Sequence, residues 1–209
     1  KRIIEPNRLL KINSIQKNMN NCILCKANQV REVLDFGKHP VSHHFLNTRA
    51  DKEETHPILV GQCGGCGTVQ LLSFIPVNKM QPKYDWLTCT EPEAHLDELV
   101  KKLSQLPGIT EESTICGVSF KEDTTLARLN RIGFHNTWRV DPETELEIEG
   151  PLGKIETIIE TIQERWTPER AEALIEKHGQ VDIVIARHIL EHSQKPLQFI
   201  EACKKMLKP

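Results

Sequence analysis

An excess of positive charge is missing from this sequence. Its 27 Lys and Arg residues face 29 Asp and Glu, a formal net charge of −2 with a pI near 6.5. That balance gives no electrostatic footprint for a nucleic acid, so none is expected as a partner. No apolar run approaches the roughly 20 residues of a membrane-spanning helix, so no membrane is expected either. The opening stretch Lys1-Arg2-Ile3-Ile4-Glu5-Pro6 lacks the apolar core of a secretion signal. The glycine fingerprint G-x-G-x-x-G does not occur, and tyrosine is reduced to Tyr84 alone. What is present is a chain of 209 residues, 38% hydrophobic and 27% charged, enough for one ordinary domain and a small one with the composition of a soluble protein.

Seven cysteines are there, and four of them fall into a pattern. Cys22-Ile-Leu-Cys25 and Cys63-Gly-Gly-Cys66 are two C-x2-C units separated by thirty-seven residues. Two intervening residues let backbone amides turn toward a pair of sulfurs, and four thiolates make the tetrahedral set of a structural zinc ion. Buried free thiols or two disulfides are the alternative. Gly64, Gly65 and Gly67 are expected to supply positive φ angles and close approach in the second unit. The separation predicts a small folded lobe between the two pairs. His39, His43 and His44 lie in that stretch, but four cysteines already complete a tetrahedron. Cys89, Cys116 and Cys203 read as small buried hydrophobes. An odd count with metal-like spacing suits a reducing cytoplasm, the expected location.

Residues 1–20 read as a polar tail, 21–82 as the zinc-binding lobe, 83–109 as a connector with a linking helix, and 110–209 as an α/β domain. In the lobe, Val30, Val33, Leu34 and Phe36 predict a strand ending at Gly37, and Ile58 and Val60 its partner. Thr90 with Glu93 predicts a capping box for the linking helix, which Pro107-Gly108 stops. Strand and helix signals then alternate: strands over 113–118, 137–140 and 181–186, and helices over 124–132, after Thr167-Pro168, and over 196–207. Ile155, Ile158, Ile159, Ile162 and Trp166 fit a helical face, but the sheet calls for a strand there, so a short strand over 155–161 is expected. From Gly117 to Asp141 is about the distance from a phosphate-turn glycine to the ribose-binding carboxylate of a nucleotide fold. A doubly wound sheet normally continues beyond such a last helix. The expectation is therefore a sheet completed by further chain or by an oligomer partner.

Taken together these residues carry a resemblance. Two C-x2-C units, the segment Gly37-Lys-His-Pro-Val-Ser-His-His-Phe-Leu46, Cys66-Gly-Thr-Val-Gln-Leu71, Tyr84-Asp-Trp86, a strand ending Asp141-Pro142, and the loop Leu190-Glu-His192 follow one another as in the zinc-containing sugar C-methyltransferases. The resemblance covers residues from about 22 onward and implies a class I methyltransferase domain of Rossmann-like, doubly wound sheet after the zinc lobe. It implies S-adenosylmethionine as cofactor and a keto-deoxysugar on a nucleoside diphosphate as the small-molecule substrate. It also places His192 as the base beside the substrate ketone and Tyr84 as a hydrogen-bond donor to the enolate oxygen. The positions facing the cofactor are then Gly117, Ser119, Asp123, Thr124, Asp141, Arg187 and His188. This chain departs from the family's compact G-x-N-D-G loop: Phe120 and Lys121 stand between Gly117 and Asp123-Thr124. Gly117-Val-Ser-Phe-Lys-Glu-Asp-Thr124 also resembles the G-L-x-F-K-x-x-T turn of the nucleotide-binding C-terminal domain of UDP-glucose dehydrogenases. The rival to an enzyme is a non-catalytic zinc-plus-Rossmann scaffold.

Overall fold

Apolar alternation on either side of the second cysteine pair builds a three-stranded sheet. Strands β1 (Val30–Pro40), β2 (Thr55–Cys63) and β3 (Val69–Leu71) lie in the order β1-β2-β3. β2 and β3 are antiparallel, with Val60 opposite Leu71 and Gln62 opposite Val69. β1 runs on past Gly37, its predicted end, although that glycine takes a left-handed φ of 81°. Gly61 is the tight point. A Cβ there would lie 2.5 Å from Leu72 Cδ2 and 2.8 Å from Val30 Cγ1.

The computed structural model describes residues 21–41, 44–80, 92–148 and 159–209. These form two compact units, the first made of the described part of Lys1–Lys38 with Pro57–Ser73, the second of His39–His56 with Phe74–Pro209. Tyr84, His43, Cys89 and Thr90 lie outside the described residues. Among the described residues no helix is long and apolar enough to cross a membrane.

The second unit alternates strand and helix as predicted, over shorter strands. Its helices are α1 (Val77–Met80), α2 (Ala94–Leu103), α3 (Asp123–Arg131), α4 (Ile159–Arg165), α5 (Pro168–His178) and α6 (Pro196–Met206). β4 (Ile115–Gly117), β5 (Thr137–Arg139) and β6 (Ile183–Ile185) form a parallel sheet in the order β5-β4-β6. Side chains alternate across it. Ile115 and Ile185 pack with Val100, Leu126 and Leu129 of α2 and α3. Cys116, on the other face, packs with Trp166, Leu174, Phe199 and Met206, from α5, α6 and the turn after α4. The sheet is thus covered on both faces, and Val181 makes one further parallel bridge to Leu207. A full doubly wound sheet is not evident. What is observed is a three-stranded parallel α/β unit.

Two expectations about elements are corrected. Residues 159–161 begin α4 rather than continue a strand, because Ile162 and Trp166, four apart, are both 1% exposed and turn one helical face inward,. The linking helix has Glu93 as its N-cap with no side-chain cap bond. The Glu93 carboxylate accepts hydrogen bonds from Thr124 Oγ1 at 2.8 Å and Arg128 Nη1 at 3.1 Å, the latter charge-assisted.

Beyond β5 the chain turns on a second buried acid. Glu145 accepts the backbone N–H of Asp141 at 2.8 Å and approaches Lys177 Nζ and His178 Nε2 at 2.6 Å each; Trp138 stacks on His178 at 4.3 Å. Burial by itself raises the Glu145 carboxyl, but Lys177, His178 and the Asp141 amide outweigh it and hold it below its ordinary value. A depressed carboxyl stabilises the fold above its unfolded value of about 4.3, and that contribution is lost as pH falls through the folded value. Glu145→Gln is therefore expected to lose about 1–3 kcal/mol at neutral pH. In thermal melts the gap to wild type should close as the buffer is taken into the acid range; a gap independent of pH would contradict this role.

Candidate metal centre and the strand ends of the parallel sheet

Both cysteine units form the same backbone turn. In the first, Lys26 N donates to Cys22 O at 3.1 Å; in the second, Gly67 N donates to Cys63 O at 2.9 Å. The residue after each second cysteine takes a left-handed conformation, Lys26 at φ 62° and Gly67 at φ 78°. Gly64 and Gly65, expected to share that role, have no positive φ. A Cβ on Gly64 would meet its nearest atom, Gln29 O, at an ordinary 3.6 Å. Only Gly67 is needed for conformation.

The turns bring four sulfurs together. Cys22 Sγ lies 3.6 Å from Cys66 Sγ, and Cys25 Sγ lies 3.6 Å from Cys63 Sγ, while all four Sγ atoms fall within 4.8 Å of one another. A tetrahedron with Zn–S of about 2.3 Å has edges of about 3.8 Å, and a disulfide would need about 2.05 Å. The four cysteines are positioned to bind a zinc ion. Among the described residues they are the metal-capable group, and no histidine joins it. Hydrogen bonds favour some of the thiolates. Thr68, through its side chain and its backbone N–H, holds the Cys66 thiol down to about 6. At Cys25 the Ala27 amide favours the thiolate, but crowding by the thiols of Cys66, Cys63 and Cys22 and desolvation push it up to about 12. Four sulfurs this close together invite a dication,.

Residues that hold this centre went unread in the sequence. Gln70 is 5% exposed. Its Oε1 accepts Ile23 N at 2.9 Å and its Nε2 donates to Asn21 O at 3.2 Å, so one side chain ties the first turn to β3. Gln29 O accepts Gly64 N at 3.0 Å. Gln70 was visible in Cys66-Gly-Thr-Val-Gln-Leu71, but nothing in that string says the amide faces the first pair.

The second place with chemistry is the carboxyl end of the parallel sheet. Gly117 ends β4 and is buried. A Cβ on it would lie 2.8 Å from Glu122 Cβ, so the glycine is explained by packing against the chain's own turn. Ser119 and Glu122 form a capping box around a 3₁₀ turn over Phe120–Glu122, the S-x-x-E signature. Glu122 Oε2 accepts Ser119 N at 2.5 Å and Ser119 Oγ at 2.8 Å, and Oε1 accepts Arg187 N at 2.6 Å. The Arg187 guanidinium reaches Lys121 O at 2.9 Å and Thr125 Oγ1 at 3.1 Å. Asp123 pairs with Arg139 at 2.9 Å, and Thr124 bonds Glu93.

Asp141 stands exposed just after β5. Its Oδ1 accepts Thr144 N at 2.7 Å and Thr144 Oγ1 at 2.9 Å, which hold its carboxyl below the ordinary range. His188, at φ 53°, follows β6 with Nδ1 3.5 Å from Glu191 Oε1. His192 is exposed at the end of a short 3₁₀ turn, Leu190–His192. Ser119, Asp123 and Arg187 are thus drawn together around one turn, with Gly117 beneath it. Asp141, His188 and His192 stand on the loops that follow β5 and β6.

A chain with a cysteine-built zinc-binding unit and a parallel α/β unit is the class these observations define. Residues 22–80 match the family model Methyltransf_13, described as "Putative zinc binding domain". The match covers the four cysteines and points to a methyltransferase-related family. No curated protein matches the chain.

Zinc analysis of protein purified without added metal is expected to give about one ion per chain, and Cys63→Ser should abolish it. Gln70→Leu should weaken zinc binding by about 10- to 100-fold, as loss of a residue that orients the ligands does. Gly67→Val should lower zinc retention while Gly64→Ala leaves it unchanged. Equal zinc content in Gly67→Val and wild type would remove the left-handed turn from the argument.

Proposed function

We propose that this protein is an S-adenosylmethionine-dependent C-methyltransferase acting on a keto-deoxysugar carried by a nucleotide, working in the cytoplasm. The observation that carries the reading is the match of residues 22–80 to a methyltransferase-associated zinc-binding model, followed in the chain by parallel strands whose second ends beside an exposed acid, Asp141. In this reading residues 21–82 are a zinc-binding lobe, 83–109 a connector, and 110–209 part of the catalytic domain.

The residues present fit the cofactor in part. Asp141 uses one carboxylate oxygen on Thr144, and a carboxylate has about four acceptor sites, so it can take ribose hydroxyls as well. The turn over 117–124 fits less directly, since Gly117 packs on Glu122. When bound, the cofactor supplies an electrophilic methyl group. His192 is the residue assigned to take the proton beside the ketone, leaving an enolate whose carbon forms the new bond, and Tyr84 is assigned to donate to the enolate oxygen. His192 follows β6, and ligands in such sheets bind outside the carboxyl ends of the strands. The filled turn at Gly117 is the one observation favouring the rival reading, a zinc-bearing scaffold without catalysis.

Calorimetric titration separates the two readings. S-adenosylmethionine and S-adenosylhomocysteine should both bind saturably, and Asp141→Ala should weaken them by the 1.5–3 kcal/mol typical of a hydrogen bond to a charged group, about 10- to 100-fold, without unfolding. His192→Asn should keep the cofactor affinity and lose about 10²- to 10⁴-fold or more in rate, together with solvent exchange of the proton beside the ketone. Absence of cofactor binding in wild type would leave the scaffold standing.

A further inference from the structure

The strand order β5-β4-β6 reverses direction at β4. From β4 the chain goes first to one neighbour, β5, and later to the other, β6, which opens a crevice between the turns leaving β4 and β6. That is the place where open α/β sheets take their ligands. Phosphate-bearing ligands are held there by free backbone N–H groups of the glycine turn and of the helix that follows. In this protein the crevice is occupied from within. The Glu122 carboxylate, 0% exposed, accepts the N–H of Ser119 from the β4 side and the N–H of Arg187 from the β6 side. Three further donors of the turn are also spent: Lys121 N on Ser119 Oγ, Glu122 N on Ser119 O, and Asp123 N on Phe120 O. Close approach over Gly117 is closed, because Glu122 Cβ sits 2.8 Å from where a Cβ would be. Both nearby arginines are engaged, Arg187 on Lys121 O and Thr125, Arg139 on Asp123.

We propose that Glu122 is a specificity-determining residue that serves as the turn's own anion and bars a phosphate or pyrophosphate from the crevice between β4 and β6, so that the site admits adenosyl ligands without a phosphate there and rejects dinucleotides. The proposal rests on reading these strand ends as the cofactor site. It separates two chemistries that the sequence of the turn leaves together, since Gly117-Val-Ser-Phe-Lys-Glu-Asp-Thr124 resembles a turn from a nucleotide-binding domain. Any incoming phosphate would find the N–H groups of Ser119, Lys121, Glu122, Asp123 and Arg187 already engaged and would face a carboxylate seated on two of them.

The test is calorimetric titration of the zinc-loaded protein with ADP, NAD⁺ and S-adenosylhomocysteine, on wild type and on Glu122→Gln. The amide keeps the shape of the side chain but can accept at only one of its two ends, which leaves at least one backbone N–H for a phosphate oxygen. Wild type is expected to show no saturable binding of ADP or NAD⁺. The variant should gain at least about tenfold in ADP affinity, while its affinity for S-adenosylhomocysteine changes less. Wild-type binding of ADP or NAD⁺ as tight as that of S-adenosylhomocysteine overturns the proposal, as does a folded variant with no gain for ADP. Should the variant not fold, the wild-type titrations decide alone: rejection of ADP with acceptance of S-adenosylhomocysteine supports it, and any other pattern overturns it. Failure of S-adenosylhomocysteine to bind, with the ADP gain still present in the variant, would strike the methyltransferase reading and leave the role of Glu122 intact.

Discussion

Four thiolates drawn within 4.8 Å of one another do for the first unit what a hydrophobic core does elsewhere. Of its described side chains, the buried hydrophobic ones are Cys22, Cys63 and Leu72, and two of those three are ligands. Val33, Leu34 and Phe36 on β1 are half exposed or more. So little buried apolar surface cannot offset the entropy of ordering three strands. Metal binding can, because the free energy of ligation is then folding free energy. The left-handed Lys26 and Gly67, the Gly61 contact and the Gln70 tie all serve to keep the two turns facing each other.

The second unit is built on the opposite economy. Trp166, Phe199, Leu146 and Ile162 on one face of the sheet and Ile115 and Leu129 on the other are at most 1 or 2% exposed, so apolar packing holds this unit without a metal. Among its buried polar side chains are two acids, each placed after a strand and each pinning a turn: Glu122 after β4 and Glu145 after β5. Both are buried, and their surroundings drive them apart. Burial pushes the Glu122 carboxyl up against the pull of its hydrogen bonds, whereas a lysine and a histidine bring Glu145 down. The turn after β4 is thereby tied by the protein's own side chain, while Asp141, His188 and His192 stand on the loops that follow β5 and β6.

Much of this was legible in the residues, for reasons that differ by element. The cysteine spacing was sufficient for the metal centre because a C-x2-C turn is local: the backbone geometry is set within five residues. The α/β texture was legible because Ile115-Cys116 and Ile183-Val184-Ile185 are short buried runs bounded by turn residues, and Thr167-Pro168 starts a helix by local rules. Residues 159–161 were misread because an assumed need for another strand in the sheet was set above the helical spacing of the isoleucines. The start of the linking helix differed for another reason: its N-cap is Glu93, whose carboxylate meets Arg128, thirty-five residues further on, a partner that no window of sequence contains.

The sequence by itself determined the two C-x2-C turns, the short apolar strands of the parallel sheet and the helix start at Thr167-Pro168, because each depends on neighbours in the chain. Only the tertiary structure decided that Gln70 spans from β3 to the first cysteine turn, that Glu93 meets Arg128, and that the Glu122 carboxylate reaches Arg187, sixty-five residues away. These are long-range meetings of polar groups. Their partners are chosen by which donors the packed strands leave in reach, and that choice does not exist until the sheet has formed.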